Sequence, residues 1–252
     1  MDGQLNESLL SANNSPVTKG FGIQSLKEEE SFNVSAGVTY KAGRFTATID
    51  GYLINVDDRV IITNNFDATQ LGIGVSTAQF FANGVDTESQ GLDIVLSYRP
   101  ELVSGSLSLS LAGNLNNLEV TNIRNEGLDE ETFFGARGRS LLEDAAPSTK
   151  FAFNANYNSG KFGVNLGVTQ FGEVSYIGFA GERVDYETKI TADLSLTAQI
   201  SSNLNFTLGG NNIFNTYPTQ QDFGSTDNSG YWDSTQMGFG GAYYYARLGF
   251  NF

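Results

Sequence analysis

Apolar and polar residues alternate with a period of two along much of this chain. In residues 31–40, for example, Phe32, Val34, Val38 and Tyr40 occupy one face, and small polar residues occupy the other. This pattern is typical of β-strands with one apolar and one polar face. No charged residue interrupts the apolar faces. Nine segments show the pattern: residues 31–40, 45–53, 92–98, 107–115, 151–157, 162–168, 190–200, 204–208 and 242–252.

The connections between these segments alternate in length. Four are short, at residues 41–44, 99–106, 158–161 and 201–203. Between them lie four longer and more polar segments, at about residues 63–86, 124–147, 179–187 and 217–241. This alternation predicts an up-and-down antiparallel meander with short turns at one end. Outer-membrane barrels have this form, with short periplasmic turns and long extracellular loops.

A soluble β-sandwich also alternates in this way, and strand length separates the two folds. Strands of globular proteins are usually about 5–6 residues long. Several apolar faces here, such as the one in residues 190–200, extend over ten residues or more. A strand that crosses a bilayer needs about 9–11 residues. The sequence therefore favours an all-β fold, a partial transmembrane β-barrel with about nine strands of a larger barrel.

Aromatic residues and the polar faces support the same interpretation. Tyr40, Tyr98 and Tyr157 each lie on an apolar face within a few residues of a short turn. We expect them to form an aromatic girdle at the membrane interface. The opposite faces contain Ser, Thr, Asn and Gly with a few charges, which suits a wet lumen.

Composition excludes several classes of function. The 252 residues carry a formal net charge of −14, which disfavours nucleic-acid binding. The chain has no Cys and no His, so disulfides, thiolate metal sites and His-based catalysis are ruled out. We expect no cofactor, no resident metal and no enzymatic activity. The polar start has no signal-peptide pattern, so we expect either a mature chain or a piece of a longer one.

Four motifs in order resemble the C-terminal part of a TonB-dependent outer-membrane receptor of Bacteroidota type. The first is FGIQSLKEEESFNVSAGVTYK, with Glu28 where Pro is more usual. The second, NGVDTESQGLDIVLSYRP, contains Asn83, Gly91 and Asp93. The third is LGGNNIFNTYPT, and the last strand is MGFGGAYYYARLGFNF. The key residues of the third motif are Asn212, Ile213, Phe214, Asn215 and Tyr217.

The resemblance implies a location in the outer membrane of a Gram-negative bacterium. Family members have an N-terminal plug, a motif that contacts TonB and about 22 strands. We expect this chain to be a fragment without plug or TonB-contacting motif. Residues 1–30 are then an irregular loop segment on the extracellular side, and residues 31–252 are the C-terminal portion of the barrel.

The implied function is part of a receptor that takes up a scarce large nutrient, such as an iron chelate, cobalamin or a glycan. The alternative is a plug-less porin or an adhesin-like structural barrel. The expected partners are outer-membrane lipid, lipopolysaccharide, the barrel assembly machinery and the transported ligand. TonB is expected as a partner only through the N-terminal part. The last strand resembles the insertion signal that the assembly machinery reads, at Tyr244, Leu248, Phe250 and Phe252.

The long segments contain candidate ligand contacts. Exposed aromatic residues can bind ligands, but packing between loops or an interfacial belt is the favoured explanation. Two arginines could hold an anionic ligand, or they could neutralise nearby acids. The acidic run at Glu126 and residues 129–131 could bind a cation, but its spacing favours a solvated loop. The candidate contacts are Phe133, Phe134, Arg137, Arg139, Tyr231 and Trp232.

Overall fold

The computed structural model describes residues 8–178, 181–221, 232 and 235–251. Most of these residues form β-strands, and the three helices among them are short. A single 3-10 turn lies at Thr69–Leu71. In chain order, the elements are β1 (Ser8–Leu10), α1 (Pro16–Gly20), β2 (Glu30–Ala42), β3 (Phe45–Ile62), β4 (Phe66–Asp67), β5 (Thr77–Gln79), β6 (Phe81–Tyr98), β7 (Ser106–Ile123), α2 (Glu130–Phe134), α3 (Ala136–Glu143), β8 (Thr149–Ser159), β9 (Phe162–Phe171), β10 (Val174–Ile177), β11 (Arg183–Tyr186), β12 (Lys189–Gln199), β13 (Leu204–Asn211) and β14 (Tyr243–Phe250).

Nine of the strands form one antiparallel sheet in the order β14-β13-β12-β9-β8-β7-β6-β3-β2. Each strand pairs with the next long strand along the chain, as the alternating connections predict. The predicted nine-strand meander is therefore confirmed. The sheet is open within the described residues, with β2 and β14 as its two edge strands.

Three of the strands are longer than the alternation predicted. β3, β6 and β7 contain 18 residues each, well above the length that a bilayer requires. The predicted long segment at residues 63–86 is therefore shorter, because β3 continues to Ile62 and β6 begins at Phe81. The extra strand residues include Ala82 and Gly84–Thr87, which are buried under the long connections. Burial on both sides removes the alternation by which a strand is recognised.

The segment before the first long strand also has local structure, contrary to the expectation that it is irregular. β1 pairs in parallel with β5, with Ser8 opposite Thr77. α1 begins with Pro16 and is capped by the Ser15 hydroxyl, which accepts a hydrogen bond from the Thr18 amide. The pairing of β1 with β5 joins parts of the chain that are far apart in sequence, so a local pattern does not reveal it.

The main apolar core lies at the long-connection end of the sheet. We call the packed parts of residues 8–29, 63–80 and 124–148, with the strand ends beneath them, the cap. Its largest buried side chains include Phe66, Phe80, Phe133 and Phe134. Phe21 packs its ring on Phe66 and Phe80 at centroid distances of 5.8 and 5.1 Å. Among the described residues, no helix has the length and apolar character to cross a membrane.

Candidate functional site: the two faces of the sheet and the cap

The strand pairing gathers the apolar positions on one face of the nine-stranded sheet. Ile49 lies opposite Ile94, and Leu166 lies opposite Leu194. Similar apolar partners recur across all nine strands, from β2 to β14. Much of this face is exposed, for example 66% at Val38 and 53% at Leu208. Such a wide exposed apolar surface requires an apolar environment.

The three tyrosines of the predicted girdle lie on this outer face. Tyr40, Tyr98 and Tyr157 are 61%, 45% and 37% exposed. Each lies within two residues of the end of its strand, next to a short turn. This placement suits amphipathic rings at a bilayer interface. Their membrane contact stays a prediction.

The predicted insertion signal lies on the edge strand β14. Tyr244, Leu248 and Phe250 share the outer face and are 65%, 69% and 64% exposed. Their partners on β13 are Gly210, Phe206 and Leu204 respectively. Phe252, the last residue of the predicted signal, lies outside the described residues.

The opposite face of the sheet, which we call the inner face, carries a polar network. Asn116 is central to it, because its side-chain oxygen accepts hydrogen bonds from the Tyr52 hydroxyl at 3.0 Å and the Ser89 hydroxyl at 2.9 Å. Next to it, the Asn114 amide donates to Asp93 at 2.8 Å. These groups bond to each other across strands, so the inner face stays polar and hydratable along its length.

The aromatic residues of the α2 segment are part of the cap core. Phe133 and Phe134 are each only 3% exposed. They pack with the apolar core of the cap, which includes Ile61 and Val85 at the ends of β3 and β6. Both rings are packed into this core, and a ligand contact at these two positions stays a prediction. The burial agrees with the alternative, packing between loops.

An ion-pair cluster fixes the base of the cap, and sequence analysis did not identify it. Arg124 donates two hydrogen bonds to Asp86, at 2.8 and 2.7 Å, and lies 3.3 Å from Asp58. Lys27 contacts the same Asp58 at 2.7 Å. The hydrogen bond to Asp86 raises the pKa of the Arg124 guanidinium. The cluster ties residues 24–29 to the ends of three strands that are distant in sequence.

The two arginines of α3 are held by neighbouring backbone and acid groups. Arg137 donates to the Ile177 carbonyl at 2.7 Å, and its guanidinium lies 5.9 Å from the ring centre of Tyr176. Arg139 donates to the Val120 carbonyl at 2.9 Å and to Glu143 at 3.1 Å. These contacts support the view that the arginines stabilise the cap. Arg137 nevertheless lines a cavity.

That cavity, of about 630 Å³, lies between the cap and the β10–β11 hairpin. Its polar lining includes Thr63, Asn64, Gln79 and Arg137, together with the carboxylate of Glu131. A second cavity, of about 590 Å³, lies between β7 and the same hairpin. Both cavities have the size of small-molecule sites. We treat them as the candidate ligand region of the long connections.

Trp232 is part of a row of stacked rings in the connection that joins β13 to β14. Its ring lies 6.0 Å from Tyr217 and 5.5 Å from Phe239, with interplanar angles of 8° and 16°. Phe239 is 59% exposed, so the row reaches the surface. The predicted contact at Tyr231 lies outside the described residues.

The acidic run before α2 has a local structural role. The Asp129 carboxylate accepts hydrogen bonds from the amide and hydroxyl of Thr132, at 2.9 and 2.8 Å, and so caps the helix. Both hydrogen bonds hold the pKa of Asp129 below its usual range, and the bond from the Thr132 hydroxyl has the larger effect. Within the described ranges, no group of three or more acidic side chains is arranged to hold a metal ion.

The open meander, its exposed apolar face and its polar inner face define a transmembrane β-barrel wall. One family model, described as TonB dependent receptor-like, beta-barrel, matches residues 3–213. Because this match covers well over half of the 252 residues, the chain belongs to that family. Members are outer-membrane β-barrel proteins of Gram-negative bacteria, and the outer membrane is the location of this protein. The finer assignment to Bacteroidota stays a prediction.

Solved structures show the same fold. The FrpB iron transporter from Neisseria meningitidis (F3-3 variant) is 15% identical, with a TM-score of 0.62, over 90% of this chain and 32% of that chain. The ferric-catecholate import receptor Fiu from K12 E. coli is 16% identical, with a TM-score of 0.61, over 99% of this chain and 30% of that chain. The copper transporter OprC is 15% identical, with a TM-score of 0.58, over 90% of this chain and 32% of that chain.

At these identities the similarity establishes the fold and leaves the ligand open. The chain spans about a third of the length of each of these three structures. A search of curated proteins gives no match.

Proposed function

We propose that the chain forms part of an outer-membrane TonB-dependent receptor that takes up a scarce large nutrient. It contributes nine strands of the barrel wall and the cap above them. The observation that carries the proposal is the combination of family membership with an ordered cap and two cavities that lie beside the β10–β11 hairpin. A simple pore needs a polar inner face, but it does not need a packed apolar core on its outer loops.

The nutrient class is proposed as an iron chelate, cobalamin or a glycan. The similar structures are named for iron, ferric-catecholate and copper transport. We favour a metal chelate among the candidates, because the larger cavity offers amide, hydroxyl and guanidinium groups to an anionic chelate. Arg137 at the larger cavity is the cation best placed to contact it.

Assembly into the membrane is proposed to depend on β14. Its outer-face residues Tyr244, Leu248 and Phe250 are the part of the predicted insertion signal that the structure describes. We propose that the barrel assembly machinery reads this strand while its free backbone edge is still unpaired. Lipopolysaccharide and phospholipid then cover the apolar face.

The test is uptake by cells that carry the whole receptor. Labelled ferric chelates, cobalamin and oligosaccharides are supplied to matched cells with and without TonB. We expect saturable uptake of one of them that requires TonB, and weaker uptake when Arg137 is replaced by Gln. Non-saturable permeation that is independent of TonB would favour the alternative, a plug-less porin or adhesin-like barrel.

A further inference from the structure

The strand β7 extends past its neighbour β8 at the long-connection end of the sheet. Their last paired residues are Leu115 and Thr149, and β7 continues to Ile123. One further bond follows, from the Asn116 amide to the Ser148 carbonyl at 2.8 Å. Beyond it, no described strand lies beside the edge of β7 that faces away from β6. This free edge forms one wall of the cavity of about 590 Å³ between β7 and the β10–β11 hairpin.

Leu118 presents an unpaired peptide group on this edge. Backbone groups alternate between the two sides of a strand, so those of Leu118 face the same side as those of Asn116 and Val120. Val120 is satisfied there, since its amide donates to the Glu143 carboxylate at 2.7 Å and its carbonyl accepts from Arg139 at 2.9 Å. Leu118 lines the cavity, and its amide and carbonyl have no hydrogen-bond partner on this side within the described residues. An unpaired edge of this kind is a template for an extended peptide.

The cavity beside this edge is strongly acidic. Five of the residues that line it are acidic, and Arg183 is the single basic one. That arginine is already paired, with Asp185 at 2.9 Å. Asp144 and Glu173 form no side-chain hydrogen bond or ion pair within the described ranges. The five acidic residues are Glu143, Asp144, Glu173, Asp185 and Glu187.

These acids favour an organic cation over a metal ion. In the part of the chain that the structure describes, no three acidic side chains converge on a point where they could hold a metal ion. Carboxylates that are spread around a cavity can instead each meet a separate ammonium or guanidinium group. The cavity has the volume of a small-molecule site, which limits the ligand to a few residues if it is a peptide.

We propose that this cavity, the acidic edge pocket, binds a short cationic peptide. One peptide unit of the ligand pairs with the amide and carbonyl of Leu118, and its basic side chains meet Asp144 and Glu173. A simple amine or a metal ion would use the carboxylates and leave Leu118 unpaired, so the two features together select a peptide. The inference is separate from the nutrient proposed above, since it rests on β7 and this cavity and is tested by binding alone.

The test measures binding of a fluorescent peptide to the full 252-residue chain in non-ionic detergent. The probe is a lysine-alanine-lysine tripeptide with a dye at its amino end and an amide at its carboxyl end. One comparison peptide has glutamine at both lysine positions, and a second keeps the lysines but has N-methylated backbone amides. By fluorescence anisotropy, we expect the probe to bind and each comparison peptide to bind at least about fivefold more weakly.

A matched pair of double variants separates the pocket from net charge. Asp144→Asn with Glu173→Gln should weaken binding of the probe by about tenfold, because two ion pairs are lost. Glu28→Gln with Glu30→Gln removes the same charge from exposed positions outside the pocket, at the beginning of β2. This control should bind like the unchanged protein. Circular dichroism verifies that both variants keep the β-sheet signal.

A second pair of variants tests the strand edge. Leu118→Pro removes the amide hydrogen that faces the cavity and leaves the ladder with β6 intact, because proline is tolerated where the N–H faces away from the sheet. It should weaken binding by about fivefold. Leu118→Ala keeps the amide and should retain binding. If the proline variant loses its β-sheet signal, the N-methylated peptide decides the same point from the ligand side.

Four results would overturn the proposal. They are no binding of the probe, equal binding of the glutamine peptide, equal binding of the N-methylated peptide, and equal losses in the two double variants. Full displacement of the probe by an equal concentration of cadaverine or of calcium would assign the pocket to simple cations and would also reject the peptide.

Discussion

A charge placed at Leu194 gives the sharpest test of the membrane-facing surface. Leu194 is the middle residue of the 11-residue strand β12 and lies on the outer face, opposite Leu166 and Gly210. Five residues on either side span about 16 Å along the strand. With a barrel tilt of about 40°, this is about 12 Å of height, or half of the apolar band of about 25 Å. Leu194 therefore lies near the bilayer midplane.

The expected costs differ with depth and with face. Leu194→Arg should lower the free energy of unfolding by about 2–4 kcal/mol, because the charge faces lipid at the midplane. Ala198→Arg, on the same face near the strand end, should cost about 0–1 kcal/mol. Ser195→Arg, on the inner face opposite Asn165, should change it by less than about 0.5 kcal/mol. Guanidinium unfolding in lipid vesicles measures all three.

Equal costs of arginine at Leu194 and Ala198 would contradict a bilayer at this face. A larger cost at Ser195 than at Leu194 would contradict it as well. Spin labels give an independent measurement, because a packed protein core would also penalise arginine. Outer-face labels should be accessible to a lipid-soluble quencher and shielded from a water-soluble one, and inner-face labels should show the reverse. The outer-face label positions are 194, 196 and 206, and the inner-face positions are 193, 195 and 205.

The other predictions concern the cap. Phe133→Ala should lower the free energy of cap opening by about 3–5 kcal/mol, because it leaves a cavity at a buried position. Hydrogen exchange over residues 124–148 measures this change. The control is Phe214→Ala, which removes a ring that is 75% exposed and should leave exchange unchanged. The pKa of Asp129 is lower in the folded state, so its capping bond should persist above the unfolded pKa and be lost as pH falls through the folded pKa. Exchange of the Thr132 amide against pH reports this loss, and a flat profile would contradict it. Asp86→Ala should increase protease cleavage in residues 24–29, because Arg124 loses its main partner.

The sheet could be predicted from the sequence because its environment is simple. Each strand has lipid on one side and a polar space on the other, so alternation in the sequence records both faces directly. The register follows from it, since slipping one residue would place Asp193 or Asp50 against lipid. The short turns were predicted for the same reason, because apolar alternation stops where the chain leaves the membrane.

The cap could not be predicted in the same way. Its strand ends are covered on both sides, so alternation disappears at Ala82 and Gly84–Thr87. Its contacts join distant segments, as in the parallel pairing of β1 with β5 and the cluster around Arg124. No short motif encodes such contacts. The positive φ of 57° at Asp58 is a further local feature without a clear sequence signal.

The structure changes which residues are the better candidates for ligand recognition. Sequence analysis selected aromatic residues because they are large and lie in long connections, but Phe133 and Phe134 are used to build the cap core. Once these apolar rings hold the cap together, the surfaces left for a ligand include the walls of the cavities beside the cap. Arg137 has both a structural position and a position at a cavity, since it donates to the Ile177 carbonyl of the β10–β11 hairpin and lines the larger cavity.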